Sequence, residues 1–250
     1  MWRASPPDPV KVRALRLLRE KHDLSPMVIH CNYLINLAAT DEAVLRQSVI
    51  AFRGELERAV TLGADYVVLH PGSRKGHTEP HAALQLAAAS VSAASQGLKL
   101  AGLRLLFENT AGAGQSIGSS FEDLAALSQM VALVAPNVEV GFCIDTCHCL
   151  AAGYDVASAD GLLDTVRQLD RLLGLDNIPV IHTNDSKGAL GSHLDRHANI
   201  GDGAIGEAAF ARILTHPDLR SKAFILETPV EDGGSERDLA TLRRLSLTAA

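Results

Sequence analysis

Apolar positions along the chain fall into two alternating rhythms, short unbroken runs and longer stretches carrying a single apolar stripe. DPVKVRALRLLREKH predicts a helix with Asp8 as N-cap and Pro9 in its first turn. SPMVIHCN follows as a short buried strand. TDEAVLRQSVIAFRGELERAVTLG is the next helix, capped by Thr40 and closed by Gly63, with Leu45, Val49, Phe52, Leu56 and Val60 on its stripe. The alternation continues through strand DYVVLHPG, helix TEPHAALQLAAASVSAASQG, strand LRLLFENT, helix SFEDLAALSQMVALV and strand VEVGFCIDT. Helix SADGLLDTVRQLDRLLG and strand IPVIHTND come next. A long polar loop then precedes helix GEAAFARILTH, strand AFILETP and a last helix, SERDLATLRRLSL.

Each strand is a continuous apolar run, the pattern of parallel strands covered on both faces or closed into a barrel. The class is therefore α/β. No linker or low-complexity stretch interrupts it, so residues 1–250 are read as one domain. Six strands are visible where a complete (β/α) barrel has eight, and the chain opens on a helix as though a preceding strand were missing.

Polar residues stand at the strand exits: His30, His70, Glu108, Asp145, His182 and Glu227, about 40 residues apart, one per βα unit. Parallel strands deliver their C-terminal ends to one face, so this period gathers imidazoles and carboxylates. His148, three residues after Asp145, and Asp195 and His197 in the loop SHLDRHANIGDG extend the set to nine. Taken singly, each is more often a capping or backbone-bonded group than a ligand; six consecutive strands ending in such residues are harder to dismiss. A mixed His/carboxylate set suits zinc, manganese or iron, and nine ligands suit two or three ions.

Composition changes this picture little. With 47% hydrophobic and 21% charged residues the chain is ordinary globular material. No stretch is apolar enough to span a membrane and MWRASPPDPVKVR lacks a signal-peptide core, so a cytoplasmic protein is expected. The formal charge of −6 argues weakly against nucleic acid, an argument that bound divalent cations would reverse locally. Cys31, Cys143, Cys147 and Cys149 form no even disulfide framework. No fourth Cys completes an iron–sulfur spacing around His148. Cys143 is read as core, and Cys147 and Cys149 as small loop residues. His22, His81 and His216 are read as surface residues, whereas His77 and His193 are placed to approach a substrate. G-x-S-x-G, Walker and dinucleotide-binding signatures are missing, and ENTAGAGQSIG is read as a close-packed loop beside Glu108.

HPGS at 70–73, ENTAG at 108–112, CIDTCH with AAGYD at 143–155, DRH with IGDGAIG at 195–206, and ILET at 225–228 resemble the endonuclease IV family, from about Trp2 to the C-terminus. The resemblance implies a TIM-type (β/α) barrel of the xylose-isomerase-like group, here incomplete with six of eight strands. It implies three zinc ions, with manganese an option at one or more sites. His30, His70 and Glu108 would hold one; Glu108 would bridge to a second, completed by Asp145, His182 and Glu227; His148, Asp195 and His197 would take the third. The implied reaction is hydrolysis of the phosphodiester 5′ to an abasic site in double-stranded DNA by a zinc-activated hydroxide, leaving a 3′-hydroxyl, with Glu108 as proton acceptor.

Tyr33 and Leu34 match residues that the family inserts into DNA, and Arg74, Lys75, Lys187 and Arg196 lie in loops of the same face where they would meet phosphates. The enzyme is expected to be a monomer, cytoplasmic and associated with the nucleoid when acting. Two departures stand out: the family's opening strand–helix–strand has no counterpart before Trp2, and ENTAGAGQ replaces ENTAGQG, shifting Gln115. The competing readings are a sugar isomerase or epimerase of the same barrel group, which has no need for His148, Asp195 and His197 together, and a metal-binding but inactive remnant.

Overall fold

A computed structural model describes residues 5–100 and 102–247; Trp2, where the resemblance begins, lies outside the described residues. The chain divides into two compact units, Met1–Glu108 with Asp123–Gly141, and Asn109–Glu122 with Phe142–Ala250.

In the first unit, helix α1 (Pro9–His22) begins where Asp8 accepts the Val10 N–H. Strand β1 (Val28–His30), helix α2 (Glu42–Leu62), strand β2 (Tyr66–Leu69), helix α3 (Pro80–Ser95), strand β3 (Arg104–Glu108) and most of helix α4 (Phe121–Val134) follow. β1 pairs with β2 and β2 with β3, all parallel. Val67, Val68 and Leu69 of β2 and Leu105, Leu106 and Phe107 of β3 are buried, as are Phe52 and Leu56 of α2 and Leu124 and Leu127 of α4. That double covering is why these strands read as unbroken apolar runs.

β1 departs from the expected buried strand: Val28 and Ile29 are half-buried and His30 is exposed, and among the described residues β1 pairs with β2 alone. The α2 cap also moves. Asp41, not Thr40, accepts the Ala43 and Val44 N–H groups, both at 2.9 Å, while Gly63 closes the helix in the left-handed region at φ 73° as expected. Both residues are good capping types, and Asp41 is the one at the extended N-cap position, from which its carboxylate reaches two orphan N–H groups. The buried stripe of α2 is correspondingly Ser48, Phe52, Leu56 and Ala59.

Strand β4 (Glu139–Asp145) opens in the first unit and ends in the second. There it pairs in parallel with β5 (Val180–His182), which pairs in parallel with β8 (Ala223–Ile225). Helices α6 (Ala159–Leu173), α7 (Glu207–Thr215) and α8 (Gly234–Ser246) supply Leu162, Val166, Phe210, Ile213 and Leu242 to the core.

A short α-helix and a short strand pair go beyond the sequence reading. Thr146–Ala152 forms a short helix, α5, capped by Asp145 and closed by Gly153, so Cys147 and Cys149 are buried helical residues rather than loop residues. The long polar loop contains a two-residue antiparallel pairing of β6 (Asp185–Ser186) with β7 (His197–Ala198). Asp185, fully buried, accepts N–H bonds from Ser186, Gly201, Gly203, Ile205 and Gly206 and so folds the loop after β7 around one carboxylate. Gly203 is obligatory there, since a Cβ would lie 2.4 Å from Asp185 Oδ1 and 2.5 Å from the Ser186 carbonyl oxygen.

The relocated cap has a direct test. Asp41→Ala should lower stability by about 1 kcal/mol, whereas Thr40→Ala should cost clearly less. Denaturant midpoints of the two variants decide it, and equal losses would return the cap to Thr40.

Candidate metal centres

In the first unit, register brings the candidate ligands together. Leu69 pairs with Phe107, so the next residues, His70 and Glu108, leave β2 and β3 side by side. Glu108 is fully buried, and its Oε2 lies 2.9 Å from His30 Nε2 and 2.7 Å from His70 Nε2, with the two rings 5.3 Å apart. His30 Nδ1 stands 2.8 Å from the Cys31 carbonyl oxygen. A carbonyl can only accept, so Nδ1 carries the proton, and in a neutral ring Nε2 then presents a lone pair to a carboxylate oxygen. Two acceptors face each other at hydrogen-bond distance. A second proton on the ring or a cation between the two groups resolves the contact.

The second unit repeats this arrangement. His148 Nδ1 is 2.9 Å from the Asn109 carbonyl oxygen, leaving Nε2 toward Asp195 Oδ1 at 3.3 Å. His197 Nδ1 is 3.0 Å from the Glu227 carbonyl oxygen. His197 Nε2 is buried without a hydrogen-bond partner, 3.6 Å from Asp145 Oδ2 and 3.8 Å from Asp195 Oδ1. An orphaned buried nitrogen among carboxylate oxygens, its ring oriented by a backbone carbonyl, fits a metal ion of the nitrogen- and oxygen-binding kind. Ligand atoms of His148, Asp195 and His197 lie within 4.8 Å of one another.

Asp145 is fully buried at the end of β4, register partner of His182. Its Oδ1 accepts the His148 N–H at 2.8 Å and its Oδ2 accepts Asn184 Nδ2 at 2.6 Å. His182 Nδ1 lies 3.2 Å from Glu227 Oε2. Asp145 and His148 are thus tied to each other through the α5 cap while their ligand atoms face different neighbours.

Cys147 also lies within reach of Asp145 and His197. Burial pushes its thiol from an ordinary 9.0 up to about 11, and it donates to the Arg196 carbonyl oxygen at 3.7 Å. Burial likewise raises Cys31 and Cys149. All four cysteines are free, buried thiols.

Of the residues expected to meet DNA, Tyr33 is 87% exposed in the turn after β1, where the Leu34 N–H is held by Asn32 Oδ1. Lys75, Lys187 and Arg196 are exposed, and the Arg196 guanidinium bonds the Asp195 carbonyl oxygen. Arg74 is half-buried and ion-paired with Asp123. His77 is engaged by the Ala38 carbonyl oxygen and His193 by that of Ala111. His22 and His81 are exposed, whereas His216 is half-buried at the end of α7, its Nδ1 accepting the Asp218 N–H. Gly112 is glycine because a Cβ there would lie 2.8 Å from His193 Nδ1.

The sequence reading passed over Asn109 and Asn184. Asn109 exchanges two bonds with the Asp145 backbone, and Asn184 holds the Asp145 carboxylate. Their one visible signal is position: each follows a strand-exit ligand within two residues.

A model of the xylose isomerase-like TIM barrel family matches residues 1–245. A probable endonuclease 4 of Solibacter usitatus is 52% identical over 239 residues, 95% of this chain and 81% of that protein. The crystal structure of endonuclease IV from Thermus thermophilus superposes with a TM-score of 0.82 at 40% identity, over 98% of this chain and 84% of that one. A D-tagatose 3-epimerase-like protein superposes with a TM-score of 0.68 at 20% identity, over 96% and 84%, a likeness of fold. The α/β pattern, the six parallel strands among the described residues and the imidazole–carboxylate clusters at their exits are those of a TIM-type barrel, and the chain belongs to the endonuclease IV family.

Proposed function

We propose that this chain is a DNA repair endonuclease that hydrolyses the phosphodiester 5′ to abasic sites in double-stranded DNA, leaving a 3′-hydroxyl and a 5′-deoxyribose phosphate. Three zinc ions serve it, with manganese able to replace one or more. His30, His70 and Glu108 hold one ion, Asp145, His182 and Glu227 another, and His148, Asp195 and His197 the third. The observation that carries this reading is the orphaned His197 Nε2 among carboxylate oxygens, together with the lone-pair contacts of His30 and His148. Membership of the endonuclease IV family supplies the reaction class. The epimerase reading rests on fold alone, and gives no role to the cluster of His148, Asp195 and His197.

Bound zinc supplies Lewis-acid activation of water and neutralisation of phosphate charge. Three divalent ions would also offset the formal charge of −6, removing its objection to a polyanionic substrate. The protein's own groups do the rest. Glu108 accepts the proton from the attacking water, held for that task by His30 and His70. Tyr33, exposed on a turn, and Leu34 beside it wedge into the duplex, where opening a damaged step costs only a few kcal/mol. Lys75, Lys187 and Arg196 meet phosphates, and Arg74 does so from its pair with Asp123.

The test is incision of a duplex carrying one stable abasic analogue by the purified chain. Cleavage 5′ to the lesion, abolished by a strong chelator and restored by zinc, is expected; Glu108→Gln should lose at least roughly 100-fold in rate, the lower range for a positioned acid–base group. Retained turnover in that variant would refute the role of Glu108, and no cleavage by a folded, zinc-loaded sample would sink the reading as a whole. A ligand set without thiolate makes a second prediction: Cys147→Ser should bind the same number of zinc ions as the parent by native mass spectrometry. Loss of an ion would put Cys147 in the set.

A further inference from the structure

Asn184 is fully buried, and each of its polar groups is used within the second unit. Its N–H donates to Thr146 Oγ1 at 3.0 Å and its carbonyl oxygen accepts from that hydroxyl at 2.7 Å. Its side-chain Nδ2 donates to Asp145 Oδ2 at 2.6 Å, and its Oδ1 accepts the Glu227 N–H at 2.8 Å. The partners fix the amide's orientation, since a carboxylate can only accept and a backbone N–H can only donate. One neutral side chain therefore grips the carboxylate of one proposed ligand and the backbone of another.

The donor arrangement around Asp145 gives this grip a consequence. Its Oδ1 takes one N–H, from His148, and its Oδ2 takes one, from Asn184. Each oxygen keeps lone-pair capacity for an ion. A lysine or arginine in place of Asn184 would hold Asp145 equally well but would set a fixed positive charge against the ion. An aspartate would remove the donor and place a second carboxylate against the first. Only a neutral donor–acceptor both aims Asp145 and leaves the electrostatics to the metal.

We propose that Asn184 is a positioning residue for the ion held by Asp145, His182 and Glu227, acting by aiming the Asp145 carboxylate and fixing the Glu227 backbone; this rests on the ligand assignment made under Proposed function. Asn184 does not touch the substrate. It governs retention of one ion of the set and leaves the cluster of His30, His70 and Glu108 unaffected.

The experiment measures zinc stoichiometry by native mass spectrometry and stepwise zinc affinity by competition with a chromophoric chelator. The proteins are the parent chain, Asn184→Ala, Asn184→Asp and Asp145→Ala, with folding checked by circular dichroism. Both Asn184 variants should hold one ion roughly 10–100-fold more weakly, the usual effect of losing an outer-shell partner, with the remaining ions at parental affinity. Asn184→Asp is isosteric and keeps the acceptor for the Glu227 N–H, so it reports on the site if Asn184→Ala fails to fold. Asp145→Ala should lose that ion outright. If Asp145→Ala binds zinc like the parent, the ligand assignment fails. If Asp145→Ala loses an ion while Asn184→Asp retains it at parental affinity, the positioning role is overturned, and a lowered unfolding midpoint alone would mark Asn184 as a packing residue.

Discussion

Among the described residues, four carboxylates buried from solvent, Glu108, Asp145, Asp185 and Asp238, impose the constraint that organises the rest of the structure. Removing a carboxylate from water is costly unless donors or cations replace the lost hydration. The chain answers differently at each position. Asp185 is surrounded by five backbone N–H groups and needs no cation, so it acts as a nucleus on which the Gly201–Gly206 backbone folds. Asp238 takes the Ile200 N–H and Asn199 Nδ2, staking the same loop from α8. Glu108 meets two imidazole nitrogens, and Asp145 accepts one N–H and one amide N–H. The extremes differ in donor: five backbone N–H groups saturate Asp185, whereas Glu108 faces the imidazoles of His30 and His70, and Asp145 has the His197 ring at 3.6 Å.

Much of this was legible in the sequence, for identifiable reasons. The strand–helix alternation was readable because strands covered on both faces must be continuous apolar runs, and those of β2, β3 and β5 are. The proximity of strand-exit imidazoles and carboxylates within each unit was readable because a parallel topology brings the ends of neighbouring strands together. Features that depend on local competition were less visible. Thr40 and Asp41 are adjacent capping residues, and geometry alone selects the second. Helix α5 spans only seven residues, too few for its TCHCLAA to show a period, and every residue from Thr146 to Ala151 is buried, which removes amphipathic contrast. The burial of β1 could not be read from VIH, since it depends on what lies against the strand rather than on its composition.

The asparagines were the hardest to see. A histidine or carboxylate announces its chemistry by type, but an amide is informative only once its two partners are known. Asn109 and Asn184 both bind Asp145, one through the peptide and one through the side chain, from positions 36 and 39 residues away. Sequence order carries no trace of that pairing beyond the placement of each asparagine just past a strand.

The histidines complete the logic. His30, His148 and His197 each direct Nδ1 at a backbone carbonyl oxygen, a bond that fixes both ring orientation and tautomer before any ion arrives. Side chains held this way would lose little further entropy on binding a metal, so the ordering cost would fall on the fold rather than on the binding step. The turn at Tyr33 has the opposite character: the Tyr33 side chain is open to solvent, beside a Leu34 N–H held by Asn32 Oδ1. Under the proposed function the two would suit different tasks: fixed ligands would present their atoms unchanged in every turnover, while an open aromatic wedge would enter a duplex whose geometry differs at each damaged site.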